Sequence, residues 1–221
     1  MVSEIFDSSR WEPVPGFDFT DITYHRSLEQ GTVRIALDRP DKANALTAAM
    51  LTDLVTAVQS ARDAKALILT GTGKVFSAGA DLEDVARLKT SPLWEKLSAT
   101  IADHPGLTVA ALNGTLAGGA CGMALACDLR VAVPGAKVFY PVMKLGVLPQ
   151  SSDPARLMAL AGPSRARLIL MAGVKMTADD ALSCGLIDRI DTDVIGCARA
   201  LCADVLAADA GHVAAIKAML R

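Results

Sequence analysis

Aromatic residues make up only 4% of this 221-residue chain, although 52% of it is hydrophobic. A core built mainly of Ala, Leu and Val suits helices packed closely on sheets better than an aromatic-rich all-β sandwich. No apolar run approaches the length of a membrane span. There is no block of like charge, and the formal net charge is −2. Nucleic acid and membrane surfaces are therefore not expected partners. The five cysteines (Cys121, Cys127, Cys184, Cys197 and Cys202) are odd in number and form no CxxC pair. That excludes a disulfide framework from the expectation and points to reduced thiols. No His/Cys/Asp/Glu cluster has ligand spacing, so no metal site is expected. The opening MVSEIFDSSRWEP is acidic where a signal peptide needs a basic and then an apolar stretch. Cytoplasm is the expected compartment.

What is present reads as one α/β domain over residues 22–221, preceded by a leader over 1–21. The leader is polar, lacks periodicity and contains Pro13, Pro15 and Gly16. Ile22–Ser27 and Thr32–Leu37 have strand character and are separated by a turn ending in Gly31, which predicts a hairpin. Met50, Leu51, Leu54, Val55 and Val58 recur at helical spacing within Thr47–Ala61. Ala66–Leu69, Val109–Leu112, Leu129–Val133 and Leu186–Ile190 are expected strands. Gly118–Ala126, Pro154–Ala161, Ser164–Ala172, Val194–Ala207 and His212–Leu220 are expected helices. Gly162-Pro163 breaks two of them apart, and Thr177 with Asp180 predicts a capping box ahead of the helix Thr177–Ser183.

Glycine interrupts the pattern at two strand-to-helix junctions. One is Phe76-Ser77-Ala78-Gly79-Ala80-Asp81-Leu82, and the other runs from Asn113-Gly114 to Gly118-Gly119-Ala120-Cys121-Gly122. Small residues there let a ligand approach the backbone. A helix start also adds unpaired N–H groups. Two such loops side by side could each donate one N–H to a developing oxyanion. Neither fits a nucleotide fingerprint: Gly71-Thr72-Gly73-Lys74 lacks P-loop spacing, and no G-x-G-x-x-G occurs. Ser77 is not in a G-x-S-x-G elbow. His25, His104 and His212 are scattered and read as surface or cap residues.

Four blocks in order carry a family resemblance. They are Arg39-Pro40-x-x-x-Asn44-Ala45-Leu46, Phe76 to Leu82, Asn113-Gly114 through Gly118-Gly119, and Cys127-Asp128-Leu129-Arg130-Val131-Ala132. From about Ile22 to Ile190 the chain resembles the crotonase (enoyl-CoA hydratase/isomerase) superfamily. The leader around Phe19–Arg26 is similar to that of naphthoate synthases, and the body from Lys65 onward to mycobacterial-type members that lack the catalytic glutamates. The resemblance implies a repeated ββα superhelix of the ClpP/crotonase type with a shortened C-terminal helical tail. It implies an oxyanion hole from the backbone N–H groups of Ala80 and Gly119. It also implies a coenzyme A cradle from the backbone of Ser77, Ala78 and Leu82 with the Asn44–Leu46 segment. The expected ligand is an acyl-CoA thioester, with no tightly bound cofactor. The expected assembly is a homo-oligomer, trimer or hexamer, less firmly held because of the short C-terminus.

The same resemblance exposes what is missing. Positions that hold glutamates in the family's hydratases are Gly122 and Val142, and the position of an isomerase acid is Gln150. Water addition needs groups that deliver water and move a proton, and an amide cannot take the proton. Asp153 is the leading substitute acid, although its place before Pro154 at a helix start is better suited to an N-cap. Asp81 and Asp128 read as fold residues, Lys144 as a surface residue and Tyr140 as packed. Three functions stay open: acyl-CoA binding without hydratase chemistry, an enolate-stabilising decarboxylase, and a non-catalytic partner of another crotonase. The segment Met143-Lys144-Leu145-Gly146 resembles decarboxylating members and motivates the second.

Overall fold

A computed structural model describes residues 11–17, 19–27 and 31–220. Residues 1–10 and 18 of the expected leader, and residues 28–30 at the hairpin turn, lie outside the described residues. The strands are β1 (Glu12–Pro13), β2 (Ile22–Ser27), β3 (Thr32–Leu37), β4 (Ala66–Gly71), β5 (Val75–Ser77) and β6 (Leu107–Leu112). They continue with β7 (Thr115–Ala117), β8 (Leu129–Ala132), β9 (Lys137–Phe139), β10 (Met176–Thr177) and β11 (Arg189–Ile190). The helices are α1 (Ala48–Ser60), α2 (Val85–Leu88), α3 (Leu93–Ala102), α4 (Cys121–Ala126) and α5 (Val142–Leu145). They are followed by α6 (Asp153–Leu170), α7 (Ala178–Ser183), α8 (Val194–Leu201), α9 (Ala203–Ala207) and α10 (Ala210–Met219).

Seven strands form one sheet in the order β1-β2-β3-β4-β6-β8-β11, and four short ones form a second in the order β10-β9-β7-β5. A unit recurs three times: β4-β5 leads into α2 and α3, β6-β7 into α4, and β8-β9 into α5. Within each unit the first strand joins the large sheet and the second joins the small one. That is the ββα superhelix the resemblance implies. The sequence pattern missed β5, β7 and β9, because three residues are too few to show a period of two.

Strand β4 shows why the large sheet forms. All six of its residues are buried, and β3 and β6 flank it in parallel. Such a strand must be apolar on both faces. Ala66 and Ile68 meet Val194, Ala198 and Cys202 of the α8 side, while Leu67 and Leu69 belong to the main core with α1. Thr47 caps α1, its side chain accepting from the Met50 N–H, and the Thr177–Asp180 capping box forms as expected. Gly162 leaves helical geometry at φ 78 inside α6, ahead of Pro163. Two expectations need correction. Leu186–Ile190 narrows to the two-residue β11, since Leu186 and Ile187 instead fill the main core. His104 is not a surface residue: it is fully buried, with Nε2 on the Ala61 carbonyl and Nδ1 accepting from the Gly106 N–H.

Candidate active site

The two glycine loops meet because β5 and β7 are parallel neighbours, so the segments leaving their C-terminal ends emerge side by side. Gly79 has φ +94 and Gly118 has φ +59. A Cβ on Gly79 would stand 3.0 Å from the Ala117 carbonyl oxygen and 3.2 Å from the Gly118 Cα. The loops therefore touch backbone to backbone, which only glycine permits. Leu46 then bridges the first loop: its N–H donates to Gly79 O at 2.7 Å and its carbonyl accepts from Asp81 N at 2.9 Å. In this parallel bridge the bonds go to the residues flanking Ala80. The Ala80 N–H is left with no acceptor among the described residues. Gly119 lies in the first turn of the 3-10 helix Gly118–Ala120, where N–H groups lack intrahelical acceptors. Ala80 and Gly119 line the same cleft, of about 700 Å³.

Asn44 holds this arrangement from behind. It is fully buried at φ 52, and its Nδ2 donates to the carbonyls of Thr72 and Val75 at 2.9 and 2.8 Å. Its Oδ1 accepts from the Arg39 N–H, and its carbonyl accepts from the Ser77 hydroxyl. Arg39 Nη1 reaches both the Ala45 carbonyl and the Asp81 carboxylate. The Glu83 N–H and then Arg39 keep the Asp81 carboxyl below the ordinary aspartate pKa. Of the residues expected to cradle a ligand, Ala78 and Leu82 line the cleft. Asn44, Leu46 and Ser77 are fully buried, and with Ala45 they hold the first loop in place.

A sequence profile of the enoyl-CoA hydratases/isomerases matches residues 27–221. The chain belongs to the enoyl-CoA hydratase/isomerase family. It is 37% identical over 166 residues to YngF of Bacillus subtilis, whose name places it among the enoyl-CoA hydratases/isomerases. That alignment covers 71% of this chain and 64% of the relative, so the chain matches less than two thirds of its length. "Probable enoyl-CoA hydratase echA6" of Mycobacterium tuberculosis is also 37% identical, over 74% of this chain and 68% of its own. Among solved structures, DspI of Pseudomonas aeruginosa superposes with a TM-score of 0.85 at 28% identity, over 94% of this chain and 83% of that one. An enoyl-CoA hydratase subunit of Geobacillus kaustophilus superposes at 0.83 with 30% identity, over 92% and 82%.

The walls of the cleft carry Val142, Gln150, Trp94 and Glu95. Val142 lines it as an apolar residue, and Gly122 lies under the Gln150 side chain. A Cβ built on Gly122 would stand 2.5 Å from Gln150 Oε1. The Gln150 Nε2 donates to the Gly119 carbonyl at 2.8 Å. Trp94 closes the other side, its ring 3.1 Å from where a Cβ on Gly119 would be, and its Nε1 donates to the Leu88 carbonyl. Glu95, which the sequence reading missed, is the one carboxylate among the described lining residues. Its Oε2 accepts from the Ser151 hydroxyl and the Ser152 N–H, tying α3 to the segment after Gln150. Burial opposes its charge, but bonds from Ser152 and Ser151 outweigh that and hold its pKa below the ordinary glutamate value.

Asp153 is fully buried and does not cap α6: Ser152 is the N-cap residue, and no side-chain cap bond forms. Its Oδ2 instead accepts from the Tyr140 hydroxyl at 3.0 Å, which puts the Tyr140 side chain between the carboxyl and the cleft. Burial pushes the Asp153 pKa up to about 7, against the opposing pull of Tyr140 and Arg156. Asp128 accepts from Thr108 and Lys217, a fold role as expected. Lys144 is exposed. No cluster able to hold a metal occurs among the described residues, and none of their helices is long and apolar enough to cross a membrane.

Proposed function

We propose that this chain binds an acyl-CoA thioester in the cleft, with the thioester oxygen held between the N–H groups of Ala80 and Gly119, and without ordinary hydratase activity. The observation that carries the reading is the pair of uncommitted N–H groups on loops locked together by Gly79, Gly118 and Asn44. Donors fixed in advance, where oxygen gains negative charge, stabilise an enolate without reorganising. The oxyanion hole is a platform, and the rest of the cleft selects the reaction. Gly122 offers no proton-transfer group, Val142 offers none, and Gln150 carries an amide. Asp153, the substitute acid suggested by the sequence, could reach a ligand only by way of Tyr140. Coenzyme A is thus part of a substrate or ligand, with no tightly held cofactor in this reading. The assembly proposed is a homo-oligomer, which light scattering after gel filtration would measure.

Isothermal titration with a long-chain acyl-CoA tests the binding; no heat at high micromolar ligand would sink it. Incubation with crotonyl-CoA tests the chemistry, and steady loss of its enoyl ultraviolet absorbance would refute the claim about hydration. A second reading, a decarboxylase acting on a malonyl-type thioester, draws on the same absence of an acid at positions 122, 142 and 150. Loss of CO2 generates the enolate with no base to abstract a proton, so Gly122 and Val142 would not matter. Its check is release of CO2 from malonyl-CoA.

A further inference from the structure

Glu95 puts a negative charge on the wall of the cleft. The residue is half-buried and lines the cleft, as does Ser151, whose hydroxyl donates to it. The Ser151 hydroxyl and the Ser152 N–H both end on Oε2, at 3.0 and 3.2 Å, which leaves Oε1 without a hydrogen-bond donor among the described residues. Burial opposes the charge, and bonds from Ser152 and Ser151, helped by Arg156, hold it ionised. Glu95 makes no ion pair among the described residues. Lys89, the other charged lining residue, is exposed at the end of α2. The carboxylate is therefore fixed by neutral donors and lacks a bound cation.

Its position points to the acyl end of a ligand. Ala78 and Leu82, the lining part of the expected coenzyme A cradle, belong to the Ala80 loop. Glu95 lies with the Gly119 wall. It follows Trp94, whose ring packs at Gly119, and it bonds the two residues after Gln150, whose amide holds the Gly119 carbonyl. The phosphates of coenzyme A would meet like charge there. A neutral acyl chain passing Oε1 strips its water and returns no bond, which is a cost. An ammonium on that chain returns N–H donors and the opposite charge together, and such charge-assisted bonds are the strong ones. We infer that Glu95 makes the cleft selective for aminoacyl thioesters, its carboxylate pairing with an ammonium carried by the acyl group. The inference rests on the acyl-CoA reading of the cleft.

The test is calorimetric titration of the full chain at pH 7, where an alkylamine is protonated. The ligands are 3-aminopropionyl-CoA and 6-aminohexanoyl-CoA, each beside its neutral parent, propionyl-CoA or hexanoyl-CoA. At one of the two chain lengths the amino ligand should bind about tenfold tighter than its parent, the gain expected from a hydrogen bond to a charged group. Glu95→Gln keeps the length of the side chain and an acceptor for Ser152 while removing the charge. The preference should disappear in that variant while circular dichroism shows a folded chain. A purely structural tie between α3 and Ser152 would instead leave the amino and parent ligands equal in the unaltered chain, and that result overturns the inference. A preference that survives in folded Glu95→Gln overturns it too. If the variant does not fold, the ligand series on the unaltered chain decides. If none of the four thioesters binds, the acyl-CoA reading itself fails and this inference falls with it.

Discussion

Replacing Gly122 by alanine tests whether Gln150 occupies the place of the absent side chain. The added Cβ would lie 2.5 Å from Oε1, 2.9 Å from Nε2 and 3.0 Å from Cδ of Gln150. Contacts that short cannot persist, and what they meet is the free end of a flexible side chain. Gln150 should swing away and lose its 2.8 Å bond to the Gly119 carbonyl. A neutral hydrogen bond contributes about 1 kcal/mol. Alanine in place of glycine within a helix such as α4 returns roughly 0.8–1 kcal/mol. The single variant should therefore unfold within about 0.5 kcal/mol of the parent and look silent. The effect emerges in a double-mutant cycle with Gln150→Ala, where the helix gain remains and no bond is left to lose. The coupling should be about 1 kcal/mol, measured by urea unfolding at constant m-value. Additivity within roughly 0.3 kcal/mol would refute the contact and the account of Gln150 built on it.

Gly79→Ala should reduce acyl-CoA affinity and cost about 1–3 kcal/mol, since it combines a left-handed φ with a 3.0 Å approach to Ala117 O; calorimetry and thermal melting would read both effects. Asn44→Ala should lower stability by about 2–3 kcal/mol, because it strips buried donors from the carbonyls of Thr72 and Val75; a melting temperature close to the parent's would contradict this. Asp153 has its folded pKa raised from 3.8 to about 7. The folded state then holds a proton that the unfolded state releases, so stability is full below about pH 4 and falls as pH rises to about 7. The loss spans at most roughly 4 kcal/mol. Asp153→Asn should flatten that slope in urea unfolding followed across pH, and an unchanged profile would refute it.

Local chemistry was readable from the chain alone. Thr47 and the Thr177–Asp180 pair cap their helices because a cap needs only residues three apart. Gly162-Pro163 breaks α6 because neither residue tolerates a helix interior. Strands β2 and β3 begin and end where their composition changes. The two glycine loops stood out because small residues at strand-to-helix junctions interrupt an otherwise apolar pattern.

The site itself depended on pairings that no spacing announces. The sequence contains Gly79 and Gly118 nearly forty positions apart, and only the parallel pairing of three-residue strands sets their backbones in contact. Asn44 read as part of a ligand cradle, and burial turned it into the brace for one loop. Asp153 read as a cap or a spare acid, and it lies sealed against Tyr140 because α6 turns it inward. Gln150 read as a failed acid, and folding put its amide into the volume left by Gly122. Sequence determines what each residue can donate, accept or bury, because that chemistry is local. Which groups meet, and which are left bare, is decided by non-local packing, and here that decides what the cleft can bind.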